Sequence, residues 1–484
     1  MRSFFIAASL CALVLSTSGC SVNPATGQQS FTGVTSIEDD IKLGKQEYPK
    51  LIKRFGGKYD HEKIQKYIND LGQQLARVSE LPNLAWEFTV LDNPEMNAMA
   101  LPGGKITINR GIISLAENEA EIVAILGHEI GHVTARHTAQ RISQGQIVQL
   151  GSILLGIVVG GPAGDIANYA GNAFIANYSR DQEMEADKLG IRYMTKLGYD
   201  PKASATFFKK LAEHTELEAK MKGEKGEQSH YSIFSTHPDT RVRISESQKI
   251  AKTYPVDLDL INRRTYLALI DGLEYGESIK QGIIDQQTFI HPDLRMEFTI
   301  PDDFEYFNTP KLLIATHKNG SAIRFDIAKR NNKHLPITHY LNEIWANKYN
   351  LRAVQQLEVN GLEAATGVVR INTKKGVRDI RYLAIADGEE IFQFRFLTPP
   401  DLTSKMEMAF RRTTYSFRRL SYREAKSIKG FHIGLHRVGH NDTISGLAQR
   451  MKVEKMKEDW LKVLNKEALS NGLQKGEFLK IVTR

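Results

Sequence analysis

Hydrophobic and polar positions follow helical spacing in the first half of the chain and alternate in the second half. Apolar residues are interleaved with charged ones at helical spacing over about 38–80. Short alternating runs at 86–90 and 105–108 then predict two strands. Helical patterns resume and dominate from about 114 to 252. We therefore predict a mainly α-helical domain with a small β-sheet at residues 38–280.

Beyond residue 290 the pattern changes to runs in which apolar and polar residues alternate. Five such runs accompany one helical segment near 339–348, which is typical of an α+β domain. We place this α+β sandwich domain at residues 288–422. Residues 430–484 form a third, small α/β unit, so the chain is predicted to be multidomain.

Composition narrows the class of protein. The 484 residues are 41% hydrophobic and 25% charged, which excludes a disordered, collagen-like or multi-span membrane protein. The net charge of +8 suits anionic surfaces but is too diffuse to indicate nucleic acid. Cys11 and Cys20 are the only cysteines, so a metal in the folded body must be held by His, Asp or Glu.

The N-terminus is predicted to be an export signal over residues 1–19. A short positive start precedes an apolar run that is too short to span a bilayer. The following sequence resembles a lipoprotein processing box, with Cys20 as the lipidated first residue and 20–37 as a tether. Thr17 stands where an aliphatic residue is usual, so ordinary cleavage and an unmodified thiol stay open. Ser21, by resemblance to Gram-negative lipoproteins, favours anchoring at the outer membrane.

The candidate chemistry lies in an H-E-x-x-H motif formed by His128, Glu129 and His132. Apolar residues from Ile122 to Val133 recur at steps of four, four and three, which predicts one buried helical face. His128 and His132 then lie one turn apart and can reach one zinc ion, with Glu129 beside the open position. The alternative is two structural histidines and a surface glutamate.

A third ligand is available on a second predicted helix. Glu183 and Asp187 are four residues apart and share a face, whereas Glu185 lies about 200° around the helix and points elsewhere. Glu183 is the ligand candidate. Asp187 is placed to accept the free ring N–H of a zinc-bound histidine. The alternative is an acidic, solvated helix face.

These motifs resemble those of a known peptidase family. H-E-x-x-H, followed about fifty residues later by S-R-x-x-E-x-E-A-D, is similar to zinc endopeptidases of the CAAX prenyl protease and HtpX heat-shock protease type. These are zincin-type peptidases called gluzincins, whose third ligand is a glutamate. The resemblance spans about 36–275 and is strongest to secreted, periplasmic members that police outer-membrane proteins. Two more family motifs are present, a strand and Pro-Gly-Gly turn at 97–104 and H-P-x-T-x-x-R-I from 237.

The resemblance implies roles for further residues. His237 would lie near the single zinc ion or the developing oxyanion, or would block the metal in a latent form. Arg243 would bind substrate or the oxyanion. Glu129 would take a proton from water and pass it to the leaving amine. The substrate would extend by β-augmentation along a strand whose residues are Asn97, Ala98, Met99 and Ala100.

Four other segments carry weaker hypotheses. Residues 145–174 are apolar but broken by Gly and Pro, and predict either a buried helix and loop or a movable lid or membrane-dipping segment over the cleft. Residues 214–229 are polar and predict a mobile surface loop. Residues 290–420 resemble the sandwich of photosystem P-subunit-like and Ran-release-factor-like proteins. Residues 431–484 resemble a LysM module, which would bind peptidoglycan or simply dock on its neighbours.

A basic cluster near residue 415 is interleaved with aromatic residues. A solvated face is its default interpretation, and after an export signal anionic lipid or cell wall is a better partner than RNA. The cluster consists of Arg411, Arg412, Tyr415, Phe417, Arg418, Arg419, Tyr422 and Arg423.

The leading hypothesis is a periplasmic zinc metalloendopeptidase that cleaves misfolded or misassembled envelope proteins. Its partners would be polypeptide substrates, with outer-membrane assembly machinery and peptidoglycan as further candidates and no nucleic acid. Two alternatives are a lipid-anchored scaffold or chaperone with a latent zinc site and a cell-wall-associated hydrolase.

Overall fold

The computed structural model divides the chain into two compact units, one formed by residues up to Gly276 together with Phe431–Arg484, and the other by Glu277–Gly430. The residues it describes are 20–32, 35–143, 178–222, 237, 240–255, 257–309, 312–332, 334–373 and 376–484. The predicted signal at 1–19 and the apolar segment 145–174 lie outside them. None of the described helices has the length and hydropathy needed to span a membrane.

The described helices and strands carry the following bounds. The α-helices of six or more residues are α1 Ile37–Arg54, α2 Glu62–Arg77, α3 Arg110–Leu115, α4 Glu119–Thr134, α5 Arg180–Lys196, α6 Lys202–Lys222, α7 Thr240–Ala251, α8 Arg263–Ile270, α9 Thr403–Ser416, α10 Tyr422–Ser427, α11 Ile444–Arg450 and α12 Lys457–Leu464. A short helix at Ile337–His339 continues as a π-helix over Tyr340–Trp345, close to the helical segment predicted near 339–348. The strands are β1 Cys20–Val22, β2 Gln29–Phe31, β3 Glu87–Leu91, β4 Ala98–Leu101, β5 Lys105–Asn109, β6 Glu274–Tyr275, β7 Ile283–Asp285, β8 Thr288–His291, β9 Met296–Thr299, β10 Glu305–Asn308, β11 Leu312–Thr316, β12 Ala322–Lys329, β13 Arg352–Val359, β14 Leu362–Thr373, β15 Gly376–Asp387, β16 Glu390–Thr398, β17 Arg418–Arg419, β18 Phe431–Arg437 and β19 Phe478–Thr483.

A three-stranded sheet in the first unit supports the helix that carries the H-E-x-x-H motif. Its order is β3-β5-β4, with β3 parallel and β4 antiparallel to β5. The β4–β5 turn is made by Pro102, Gly103 and Gly104, and the two glycines have φ of 75° and 81°. This confirms the predicted turn. Helix α4 contacts β4 and β5 and is buried along its whole length.

Small residues let α4 and α5 pack closely. A Cβ on Gly190 of α5 would lie 2.7 Å from the backbone N of His128, and one on Gly131 would lie 3.0 Å from the carbonyl oxygen of Ala186. Both helices start at side-chain caps, because Asn118 accepts from the backbone of α4 and Ser179 forms a capping box at α5. The close crossing therefore fixes the side chains of the two helices relative to one another.

The C-terminal segment 431–484 is part of the first unit. The segment was predicted to be a separate small unit, whereas its Leu461 and Val482 share one hydrophobic core with Leu126 of α4. Strand β18 pairs with β19 and with β6. The buried Lys480 donates hydrogen bonds of 2.7–2.8 Å to three backbone carbonyls at the end of α3.

Two other segments of the first unit differ from expectation. The tether predicted at 20–37 contains the β1–β2 hairpin and begins helix α1, and its Asn23 and Ala25 are buried. The loop predicted at 214–229 is helical as far as Lys222, and the rest lies outside the described residues. Leu217 and Met221 pack into the core there. The apolar face of this part of α6 is narrow, and the polar residues around it in the sequence obscured the helical pattern.

The second unit is built on a seven-stranded antiparallel sheet of order β10-β11-β12-β16-β15-β14-β13. A four-stranded sheet, β17-β9-β8-β7, and helix α9 accompany it. Residues of β15 alternate between two cores, with Leu383 in one and Tyr382 in the other, as strand geometry requires. The predicted basic cluster is partly neutralised, because Arg418 pairs with Glu297 and Arg419 with Asp387.

Candidate metal centre

Helices α4 and α5 bring three candidate ligands together. The Nε2 atoms of His128 and His132 are 3.0 Å apart. Each lies 3.5 Å from a carboxylate oxygen of Glu183. All three side chains are buried. One ion could therefore contact both imidazoles and the carboxylate.

His237 adds a fourth donor to the same cluster. Its Nδ1 lies 2.9 Å from Glu183 Oε1 and 3.3 Å from His128 Nε2. The ligand atoms of His128, His132, Glu183 and His237 all lie within 4.8 Å of one another. These four buried residues form a candidate metal site.

The donor set fits a divalent ion of the zinc type. Imidazole nitrogens with a carboxylate oxygen are its usual ligands in proteins. Burial lowers the pKa of His132 well below its usual value, which keeps the imidazole in the neutral form that binds a metal. Both carboxylate oxygens of the fully buried Glu129 lack a hydrogen-bond partner, as expected of a group that faces a reacting site.

An ion-paired layer holds the His128 and Glu183 side chains. Asp187 Oδ1 lies 2.8 Å from His128 Nδ1, and Arg243 binds both oxygens of Asp187 at 2.7 and 2.8 Å. Arg243 Nη1 also lies 2.8 Å from Glu183 Oε2, and its guanidinium stacks over Phe208. Burial opposes ionisation of Asp187, but Arg243 outweighs it and holds the pKa of Asp187 well below its usual range.

The electrostatics of the two buried glutamates differ. Burial raises the pKa of Glu129, and no hydrogen bond offsets it. Burial also opposes ionisation of Glu183, but His237 and Arg243 outweigh it and lower the pKa of Glu183. Glu183 is thus held as an anion suited to ligation, whereas burial makes the carboxylate of Glu129 more basic than an exposed one.

The predicted substrate strand lies where the α4 helix packs. Asn97 precedes β4, and Ala98, Met99 and Ala100 lie within it; all four are buried. β4 is an edge of its sheet among the described residues, since it pairs there with β5 alone.

Arg243 is 2% exposed, with its donors directed to Asp187 and Glu183. Its contact with substrate stays a prediction.

Sequence reasoning missed the residues around His132. The His132 ring stacks on the Tyr178 ring with centroids 3.7 Å apart. The guanidinium of Arg141 lies over the same Tyr178 ring. His137 Nδ1 lies 2.8 Å from His132 Nδ1 and its Nε2 3.1 Å from Glu185. Glu185 does point away from the cluster, but toward His137. The spacing of five between the histidines gave no signal, because α4 ends between them.

An H-E-x-x-H helix beside a second helix that supplies a carboxylate is the arrangement typical of metal-dependent peptidases. Residues 62–251 match Peptidase family M48. This segment contains all four residues of the candidate metal site, His128, His132, Glu183 and His237.

Two relatives share this part of the chain. The mitochondrial metalloendopeptidase OMA1 of Arabidopsis thaliana is 32% identical over 188 residues, covering 38% of this chain and 35% of OMA1. The beta-barrel assembly-enhancing protease of Yersinia pestis is 29% identical over 200 residues, covering 39% of each chain. This chain thus spans well under half the length of either relative.

One solved structure is similar to part of the chain at low sequence identity. The solution structure of cyanobacterial PsbP from Synechocystis covers 30% of this chain and 98% of its own, at 15% identity and a TM-score of 0.23. The predicted resemblance of the sandwich domain stays a prediction.

Proposed function

We propose that this protein is a zinc-dependent endopeptidase of the gluzincin type. The observation that carries the proposal is the convergence of His128, His132 and Glu183 beside the carboxylate of Glu129, which makes no hydrogen bond. These three side chains would hold one zinc ion. A zinc ion bound there would supply Lewis acidity toward the scissile carbonyl and toward water.

Glu129 would act as the general base and then the general acid. Its carboxylate is buried, makes no hydrogen bond and has a pKa raised by burial. A carboxylate in that state can accept the proton of an attacking water and return it to the leaving amine. Asp187 would keep His128 in the tautomer whose Nε2 is free to bind the metal.

His237 would control access to the ligand cluster. Its Nδ1 lies among the other donors, which supports a latent form in which this side chain takes a ligand position. Its Nε2 lies 3.8 Å from Glu129 Oε1, so the same residue could instead face the reacting carbonyl. Arg243 would act through Asp187 and Glu183, and any contact with substrate would require these pairs to rearrange.

The proposed substrates are exported polypeptides of the bacterial envelope that are misfolded or misassembled. Support comes from the name of the Yersinia relative, from the predicted export signal and from the edge position of β4, where a substrate could pair through its backbone whatever its sequence. We propose a periplasmic protein anchored to the outer membrane through Cys20. The LysM-like module and its binding to peptidoglycan remain part of this proposal.

Cleavage of a loosely folded protein tests the activity. Purified wild-type protein should hydrolyse casein, and both chelation and Glu129→Gln should reduce the rate at least about 10³-fold. Glu129→Gln should still bind zinc, because Glu129 is not one of the ligands. Glu216→Gln, on the exposed face of α6, is the matched control and should cleave like wild type. Zinc binding without cleavage by wild type would refute the enzyme and favour the scaffold.

A further inference from the structure

A chain of polar contacts leads away from the outer nitrogen of His132. The Nε2 atom of His132 faces the other candidate ligands, so its Nδ1 points outward, 2.8 Å from His137 Nδ1. His137 Nε2 lies 3.1 Å from Glu185 Oε2. The other oxygen of Glu185 accepts a 3.0 Å hydrogen bond from the amide of Asn23. His132, His137 and Asn23 are buried, and the Glu185 side chain is 28% exposed.

Only one arrangement of protons satisfies these hydrogen bonds while His132 Nε2 stays free for a metal. His132 must then carry its proton on Nδ1 and donate it to Nδ1 of His137. His137 must in turn carry its proton on Nε2, where the carboxylate of Glu185 accepts it. The reverse arrangement would protonate His132 Nε2 and prevent ligation. The contacts from His132 through His137 to Glu185 thus select the metal-binding tautomer of His132.

The backbone is shaped to bring His137 under His132. Helix α4 ends at Thr134, and Arg136 then adopts a left-handed conformation with φ of 55°. That conformation is costly for a residue other than glycine. It is held because the buried Arg136 side chain pairs with Asp40 at 2.7 Å.

Three carboxylates of α5 make different contacts at the site. Glu183 lies among the candidate ligands, and Asp187 contacts the outer nitrogen of His128. Glu185, about 200° around the helix from Glu183, reaches the opposite side and contacts His137. Each ligand histidine is therefore held by its own carboxylate. Asp187 contacts His128 directly, and Glu185 acts on His132 through the imidazole of His137.

We propose that His137 and Glu185 are positioning residues that hold His132 in the orientation and tautomer needed for metal binding. The inference rests on the proposed metal function. Neither residue would contact the ion or the substrate. Asn23 is the last link, so the segment that follows Cys20 is coupled to the ligand cluster.

A matched pair of variants at one position tests this role. Asn and Leu have the same branched shape, but Asn presents an acceptor near the place of Nδ1 and Leu does not. In the full-length protein, His137→Leu should raise the zinc Kd about 10–100-fold, as loss of such an outer partner does elsewhere, whereas His137→Asn should retain most of the affinity. Zinc Kd is measured by competition with a chromophoric chelator, and the visible spectrum of the cobalt form reports ligand geometry. The cobalt spectrum should change in His137→Leu and stay close to wild type in His137→Asn.

The outcomes separate this inference from the proposed function. Equal zinc affinity in wild type and His137→Leu, or equal losses in the Leu and Asn variants, would overturn it. Should circular dichroism show that His137→Leu is unfolded, Glu185→Ala decides, because this partly exposed side chain can be removed without a buried cavity. Weaker zinc binding by Glu185→Ala supports the positioning role of His137 and Glu185, and unchanged binding overturns it. Absence of zinc binding by wild type would instead refute the metal centre itself.

Discussion

The close approach of the two ligand-bearing helices depends on Gly190. A Cβ at this position would lie 2.7 Å from the backbone N of His128 and 2.9 Å from the carbonyl carbon of Gly127. Both are backbone atoms, which cannot rotate away as a flexible side chain can. Non-bonded heavy atoms prefer separations of about 3.5 Å or more, so Gly190→Ala should move the helices apart by about 0.8 Å at this point.

The magnitude of the effect differs between stability and metal binding. Overpacking costs about 1–3 kcal/mol, and alanine regains about 1 kcal/mol over glycine in a helix interior. The net loss in the free energy of unfolding is therefore about 0–2 kcal/mol. Metal–ligand distances tolerate only about 0.2 Å, so moving Glu183 relative to His128 should raise the zinc Kd at least about tenfold.

Two measurements on the same variant check this reasoning. Zinc affinity is obtained by chelator competition, and the melting temperature of the metal-free protein by circular dichroism. Lys188→Ala, on the exposed face of the same helix, is the control and should change neither. A Gly190→Ala protein that binds zinc as tightly as wild type would show that the helix separation does not set the ligand geometry.

Three further predictions concern the first unit. Burial raises the pKa of Glu95 to about 7, so the folded state keeps a proton that the unfolded chain has lost, and stability falls as pH rises between about 4.5 and 7. Glu95→Gln should therefore raise the melting temperature of metal-free protein at pH 8 and not at pH 4, and an equal change at both would contradict the assignment. Lys480→Met should lower the free energy of unfolding in urea by about 3 kcal/mol, since it leaves three backbone carbonyls without their buried donor, and an unchanged midpoint would refute this. Deletion of 431–484 should abolish the cooperative thermal transition of the first unit, because that unit would lose part of its core; a detachable module would leave the transition intact.

The ligand helices could be predicted because their patterns are local. Apolar residues at steps of three and four identify α4, and the same periodicity puts Glu183 and Asp187 on one face of α5. Strands β3 and β5 agree with the predicted runs to within one residue. Distances between the helices were not predictable from spacing, since they depend on backbone contact at Gly127 and Gly190.

The missed features depend on long-range contacts or unusual backbone geometry. The alternating pattern of β19 predicts a strand but does not identify the core that it joins. Lys480 is polar by type, yet its buried ammonium satisfies carbonyls more than 360 residues away in sequence. His137 reaches His132 because the backbone of Arg136 is left-handed. Arginine has no preference for that conformation, so it could not be predicted from the residue type.

A crystal structure of the purified full-length protein with anomalous data at the zinc edge tests the central claim most directly. The account predicts a single anomalous peak about 2.0–2.2 Å from the Nε2 atoms of His128 and His132 and from a carboxylate oxygen of Glu183. A zinc peak elsewhere, or no peak among these side chains in protein that cleaves casein, would contradict it.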